Sequence, residues 1–157
     1  MHKFIMAALL AAALAAQPAL AQTTPANDLD AMRTALRTDK RAYVASNLAL
    51  TPAQAKKFWP IYDTYQRALD GVARARAVTA ESTLNRAGDQ PLSNLAAKAF
   101  VTQNLVADEA EMKARRKMFN AVMRALPAAK AARYFQLEGK FRAVQAYDIA
   151  QAFPLVK

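Results

Sequence analysis

Apolar residues recur every three or four positions through most of the chain, a spacing that predicts helices. The commonest residues, among them Ala, Leu, Arg and Gln, are good helix formers. No segment alternates apolar and polar positions with β-branched enrichment, so we expect no strand. The predicted fold class is all-α: an elongated four-helix protein built on a long antiparallel helical hairpin, in a single helical domain that covers residues 28–157.

Breaks in the apolar pattern set the four predicted helices. They cover residues 28–47, 52–86, 93–126 and 127–152. The turn at residues 85–91 carries Gly and Pro and joins the second and third helices into the hairpin. A third helix of this length would be roughly 50 Å long, longer than the core of a compact domain of this size. We therefore expect part of an apolar stripe to remain available to a partner.

One apolar run lies outside this pattern, at the start of the chain. A basic start precedes an apolar stretch at residues 4–16, and the small residues Ala19 and Ala21 fit a signal peptidase site before Gln22. The stretch is about 13 residues long, too short to span a bilayer as a helix. Residues 1–21 are therefore predicted to be a secretory signal peptide that directs the chain to the periplasm, and residues 22–27 a disordered leader.

Cleavage of this peptide would remove the chemistry that most enzymes need. His2 is the only histidine, and the chain has no cysteine. Zinc requires His, Cys or converging carboxylates, so we predict no metal, no cofactor and no enzymatic activity.

The charge is strongly positive, with 22 Lys and Arg residues against 12 acids. A basic chain often binds nucleic acid, but export makes that partner improbable here, and we predict no nucleic acid. Acidic or unfolded envelope proteins and anionic lipid surfaces remain as partners. The simpler alternative is a basic surface that only keeps the protein soluble.

Most of the acids are predicted to form ion pairs along solvated helix faces. A base follows each of five acids four positions later, the favourable orientation on a helix. This placement argues against paired catalytic carboxylates, which need burial to shift a pKa. The pairs are Asp63–Arg67, Asp70–Arg74, Glu109–Lys113, Glu111–Arg115 and Glu138–Arg142.

The third helix has a predicted buried stripe and an excess of basic residues. Arg116 falls inside that stripe by spacing, so we expect it to extend to solvent or to pair with Glu138 or Asp148. With Arg115 and Lys117 it forms a candidate client or partner surface. The residues predicted to be buried are Leu105, Met112, Phe119, Met123 and Leu126.

The second helix carries an aromatic stretch around Pro60. A proline inside a helix removes one backbone bond, at a cost of about 3 kcal/mol. We predict that it interrupts the helix. The preferred interpretation is a kinked core anchor, and the alternative is a client-binding patch formed by Phe58, Trp59 and Tyr62.

The most specific motif opens the second helix at Leu50-Thr51-Pro52-Ala53-Gln54. The Thr51 hydroxyl can accept from the Gln54 N–H, while the Gln54 side chain accepts from the Thr51 N–H, as in a capping box. Pro52 takes the first helical position, where its missing N–H costs nothing. Leu50 precedes the cap and can pack back onto the first turn.

With the signal peptide and the basic helical chain, this Leu-Thr-x-x-Gln motif resembles the Spy/CpxP family of periplasmic proteins. The resemblance covers roughly residues 48–132. It implies a curved helical homodimer and an ATP-independent chaperone or envelope-stress function. Some relatives bind zinc.

The chain departs from this family at its expected second motif. The equivalent stretch, Leu126-Pro127-Ala128-Ala129-Lys130, keeps only the leucine and the helix start. We therefore predict a distant relative that acts as a periplasmic chaperone or stress-related binding protein. The alternative is a non-enzymatic binding module for an envelope partner protein or an anionic membrane surface.

Overall fold

The computed structural model describes residues 25–87, 90–153 and 155, and within them the all-α prediction is confirmed. The predicted signal peptide and the first half of the leader lie outside the described residues. No helix in the described ranges is long and apolar enough to cross a membrane. The five helices found there are α1 (Pro25–Arg37), α2 (Lys40–Leu48), α3 (Pro52–Ala87), α4 (Asn94–Ala125) and α5 (Ala128–Ala152).

The first predicted helix is in fact two helices, so the predicted number of four was wrong. The break lies at Thr38 and Asp39, between α1 and α2. Asp39 has an extended φ of −153°, and its Oδ1 accepts from the Ala42 N–H at 2.8 Å. This is an N-cap, and it starts a new helix where the sequence pattern alone continued the old one. α1 also begins at Pro25, inside the segment predicted to be a disordered leader.

α3 and α4 lie antiparallel along much of their length. The side chain of Thr79 in α3 donates to Gln103 in α4 at 3.1 Å, and Arg76, one turn earlier in α3, contacts the later Glu111. α4 starts at a local cap, because the Ser93 hydroxyl accepts from the Ala96 N–H at 3.2 Å.

α5 runs antiparallel to α4 and packs on a different side of α4 from α3. The rings of Phe119 and Phe135 lie 4.7 Å apart, and those of Phe100 and Phe153 lie 6.2 Å apart and nearly parallel. α3 and α5 therefore run in the same direction, and α1 and α2 pack across them.

The core lies where the first half of α3 meets α5. The Phe58 and Tyr134 rings meet edge to face with centroids 4.9 Å apart. Burying each such ring contributes about 1.5–3 kcal/mol, so this cluster is a main source of stability. The largest fully buried side chains are Tyr134, Phe58, Phe141, Met32, Glu138, Val44 and Val122.

The aromatic stretch is thus core, as the preferred interpretation had it, and the client-patch alternative has no open surface at two of its three residues. Phe58 is 0% exposed and Tyr62 is 4% exposed, so neither presents a surface. Trp59 is half-buried. The predicted interruption was also wrong, since α3 continues through Pro60. Pro60 itself is exposed, where the missing bond is least costly.

Candidate partner-binding surface

The buried stripe of α4 is not the predicted one. Leu105, Met112 and Met123 were expected in the core but are 57%, 48% and 57% exposed. Of the other predicted members, Leu126 is buried and Phe119 is half-buried. The buried residues of α4 are Ala107, Glu111, Met118 and Val122.

A buried carboxylate explains the difference. Glu111 lies in the middle of the inward face and accepts from Arg76 Nη1 of α3 at 2.8 Å and from Arg142 Nε of α5 at 2.5 Å. Arg76 also donates to Asp108 at 2.5 Å. The sequence pattern assigned the acids of this helix to the solvent side. Because Glu111 instead faces inward and joins three helices, that assignment predicted the wrong rotation of α4 about its axis.

These contacts set the protonation of Glu111. Burial by itself raises the pKa of this carboxyl, but the hydrogen bonds from Arg76 and Arg142 outweigh it and leave the pKa below its ordinary value. Burial likewise lowers the pKa of Arg76, and its bonds to Glu111 and Asp108 reverse that effect and raise it. The group is therefore an ionised structural centre at neutral pH.

Other predicted ion pairs also have their partners on different helices. Asp63 pairs with Arg41 of α2, where Arg67 was expected. Glu138 is 0% exposed and pairs with Lys40 of α2 at 3.0 Å, where Arg142 was expected. Glu111, Asp63 and Glu138 are therefore paired as predicted, but with partners on other helices, so these pairs join the helices together.

The opposite side of α4 forms an exposed surface that we call the α4 outer face. Its apolar members are separated by four, seven and eleven residues, close to whole turns of a helix. They therefore follow one line about 33 Å long. The apolar residues are Val101, Leu105, Met112 and Met123, and the basic residues beside them are Lys98, Lys113, Arg116, Lys117 and Arg124.

The charge of this face is mainly positive, because five bases lie beside the apolar line and Glu109 lies among them. A second exposed acid, Asp108, lies on the line between Leu105 and Met112 and is paired with Arg76 of α3. Met112, Lys113 and Arg116 line an open depression on the helix surface. Arg116 is exposed and does not make the predicted pairs, because Glu138 binds Lys40 and Asp148 binds Arg33.

Of the predicted basic surface, Arg116 and Lys117 belong to the α4 outer face, and Arg115 does not. Arg115 is half-buried, with its guanidinium 4.9 Å from the Phe135 ring centre and 5.7 Å from that of Phe119. Such cation–π contacts fix the side chain between α4 and α5. Arg115 is therefore a packing residue.

Both bonds of the capping box are present at the start of α3. The Gln54 N–H donates to Thr51 Oγ1 at 3.3 Å, and the Thr51 N–H donates to Gln54 Oε1 at 3.1 Å. Pro52 is the first helical residue and Leu50 packs against the core.

A contact that the sequence did not predict joins this cap to residues 126–130, the stretch where the family resemblance would place a second motif. Lys130 Nζ donates to Gln54 Oε1 at 3.0 Å and to the Ala49 carbonyl at 2.5 Å. A cation is favourable there because the carbonyl lies at the C-terminal end of α2. The available signal was the position of Lys130, where the motif would place its second glutamine.

Within the described part of the chain, no three His, Cys, Asp or Glu side chains converge as metal ligands would. Searches of protein-family models, curated proteins and solved structures find no match to this chain. The Spy/CpxP resemblance therefore stays a prediction from the sequence motif.

Proposed function

We propose that this protein captures unfolded or acidic polypeptides in the bacterial envelope without ATP, as a chaperone or envelope-stress binding protein of the Spy/CpxP type. The α4 outer face is the observation that carries the proposal. It combines a line of exposed apolar side chains with five bases beside that line. Export, with cleavage before Gln22, would place the protein in the periplasm. The proposed function is binding, and it requires no enzymatic activity.

The free energy that the α4 outer face can contribute to binding is consistent with transient capture of clients. Four apolar side chains that are already half-covered gain roughly 1 kcal/mol each on full burial. That gain is similar to the smallest estimates of the cost of association, about 4 kcal/mol. Clients would therefore bind weakly and leave readily. The basic residues add attraction for acidic segments and raise the encounter rate.

The length of the helices supports the same proposal. α3 has 36 residues and α4 has 32. A 32-residue helix is about 48 Å long. We propose that this elongated antiparallel hairpin is the platform on which the α4 outer face is displayed. Self-association into a homodimer is a further prediction of the family resemblance.

Suppression of aggregation tests the proposal. We expect the purified protein to suppress aggregation of several unrelated clients, without ATP, at near-stoichiometric ratios. Changing Lys113, Arg116 and Lys117 to Glu should slow capture, because it reverses the attraction. The matched control changes Arg74, Arg86 and Arg133 to Glu, the same charge change at exposed positions outside α4. Lack of suppression at tenfold excess over all clients would defeat the proposal.

Salt separates this function from binding to an anionic membrane. Raising the ionic strength from 0.15 to 1 M shortens the Debye length from about 8 to about 3 Å. A lipid binder held by Lys and Arg would detach from anionic vesicles. A chaperone that also buries apolar groups should keep suppressing aggregation, since salt does not weaken that burial. Salt-labile vesicle binding without suppression would favour the membrane alternative.

A further inference from the structure

Two short helices, α1 and α2, pack on the outside of the protein, and together we call them the cover (residues 25–48). α2 lies over the aromatic core, where Arg41 contacts Trp59 and Tyr62, and α1 packs on the last part of α5 through Arg33. These helices have 13 and 9 residues, too few to be stable as isolated helices. The cover therefore owes its structure to its contacts with α3 and α5. Its buried apolar residues are Met32, Ala35, Val44 and Leu48.

Charged side chains make the other contacts of the cover. Three cations of the cover each contact one carboxylate and at least one aromatic ring of the helices beneath. They are Arg33 with Asp148 at 3.2 Å and Tyr147, Lys40 with Glu138 at 3.0 Å and Phe141, and Arg41 with Asp63 and Trp59. Two of the three pairs are partly exposed, so water can replace them at a small cost.

The surface beneath the cover includes a buried polar group that lacks a hydrogen-bond partner. Gln66 Nε2 is buried without a hydrogen-bond partner among the described residues. Gln66 lies directly under the cover, because its Oε1 accepts from Lys40 at 3.3 Å. A buried donor without a partner disfavours the closed state, and water would satisfy it when the cover opens.

The cover also has a defined pivot. Ala49, which links α2 to α3, has a φ of 43°, a left-handed conformation that is strained for alanine. Its carbonyl is held by Lys130. The other joint is the break at Thr38 and Asp39. Movement about these joints would displace α1 and α2 while α3, α4 and α5 stay packed.

We propose that the cover is displaceable and that its opening exposes a second client-binding surface, formed by Phe58, Trp59, Tyr62 and Tyr134. The partner is an apolar, aliphatic-rich segment of an unfolded chain. The cover itself indicates this chemistry, since its buried Val44 and Leu48 belong to the same hydrophobic cluster as Phe58, Tyr62 and Tyr134. This inference rests on the proposed chaperone function and adds to it a site that is closed at rest.

Hydrogen exchange tests the displacement without any client. Replacing Arg33 and Arg41 by Ala removes two of the three cations. We expect exchange at the Val44 amide in α2 to speed up about tenfold, with little change at Val122 in α4. The matched control is Arg37→Ala, an exposed change in the same helix as Arg33. Equal acceleration of exchange at Val44 and Val122 would mean that the whole protein is destabilised, and would overturn the inference that the cover opens separately.

A covalent lock tests the hidden surface. The chain has no cysteine, so Arg41→Cys with Asp63→Cys creates a unique pair, which a short bismaleimide can join across the cover. The control is the same variant blocked by N-ethylmaleimide. Trp59 is the single tryptophan, so its fluorescence reports client binding if the client lacks tryptophan.

We expect the locked protein to lose the change in Trp59 fluorescence on client binding. It should also bind about half as much client at saturation, because only one of two independent surfaces remains open. Capture through the α4 outer face should persist. An unchanged response and capacity after locking would overturn the inference and leave the proposed function standing. Failure of every form to bind client would defeat the proposed function, while hydrogen exchange would still decide whether the cover opens.

Discussion

The Glu111 side chain joins α4 to both α3 and α5. Its carboxylate bonds to guanidinium groups of α3 and α5, with only 12% of its side chain exposed. An ion pair of this kind is costly to break, because the remaining charges lose their partner away from water. It also fixes the rotation of α4, and thereby decides which residues of the helix face solvent.

The first prediction follows from these contacts. Replacing Glu111 by Gln should lower the free energy of unfolding by about 2 kcal/mol, less than for a fully buried pair because both arginines are partly exposed. The exposed neighbour provides the control, and Glu109→Gln should change stability by about 0.5 kcal/mol or less. Urea unfolding midpoints measure both. Equal effects of the two changes would contradict the role assigned to Glu111.

The pH dependence of this difference has a definite sign. The folded-state pKa of Glu111 lies below its ordinary value of 4.5. Its contribution to stability is therefore complete above about pH 4.5 and is lost as the pH falls through the lower folded-state pKa. The wild type and the Glu111→Gln variant should accordingly converge in stability on acidification.

At the scale of elements, local signals were enough to place most helix ends. The capping box at Thr51 and Gln54, the Ser93 cap and Pro127 each act within one turn of chain. The break before α2 had a local signal too, since Asp39 is a preferred N-cap residue. It was missed because the apolar spacing continued across it.

The rotation of α4 and the partners of the acids could not be predicted in the same way. Both depend on residues far apart in sequence, such as Arg76 and Arg142 around Glu111. An ion pair between residues four apart on one helix stabilises that helix by only a few tenths of a kcal/mol. Partly buried bonds between helices outweigh it, so the apolar line of α4 was assigned to the core when it lies outside.

Three tyrosines at the junction of α3 and α5 give a prediction at alkaline pH. Burial, together with the nearby Glu138 charge, raises the pKa of Tyr62, Tyr65 and Tyr134 well above the ordinary 10.0. The folded state keeps them neutral, so stability is complete below pH 10 and falls above it, by about 4 kcal/mol per pH unit if all three ionise on unfolding.

Denaturant unfolding between pH 9 and 11 measures this slope. Tyr65→Phe should reduce it by about a third, whereas Tyr147→Phe, at a residue that is 54% exposed, should leave it unchanged. A slope that does not respond to Tyr65→Phe would show that the tyrosines are not the titrating groups.

For the whole molecule, the sequence predicted the all-α class and a long pair of helices joined by a Gly- and Pro-containing turn. Part of the candidate site was also predicted, since Arg116 and Lys117, two of its five bases, are exposed on the α4 outer face. The apolar part was not, because Leu105 and Met112 look like core residues until the position of Glu111 is known. The aromatic candidates Phe58 and Tyr62 proved to be the core itself.

Two surfaces with different accessibility follow from this arrangement. The α4 outer face is open to solvent, whereas the aromatic surface lies beneath α1 and α2. Capture would then begin with charge and exposed aliphatic groups on α4, and stronger burial would require the cover to move.

Site-specific photocrosslinking tests the central claim, capture on the α4 outer face, most directly. A photoreactive phenylalanine is placed at Leu105 or Met112, and at the control positions Gln145 of α5 and Arg74 of α3, all exposed. We predict that an unfolded client crosslinks from Leu105 and Met112 and only weakly from the controls. Equal yields at all four positions, or stronger yields from the controls, would contradict the account.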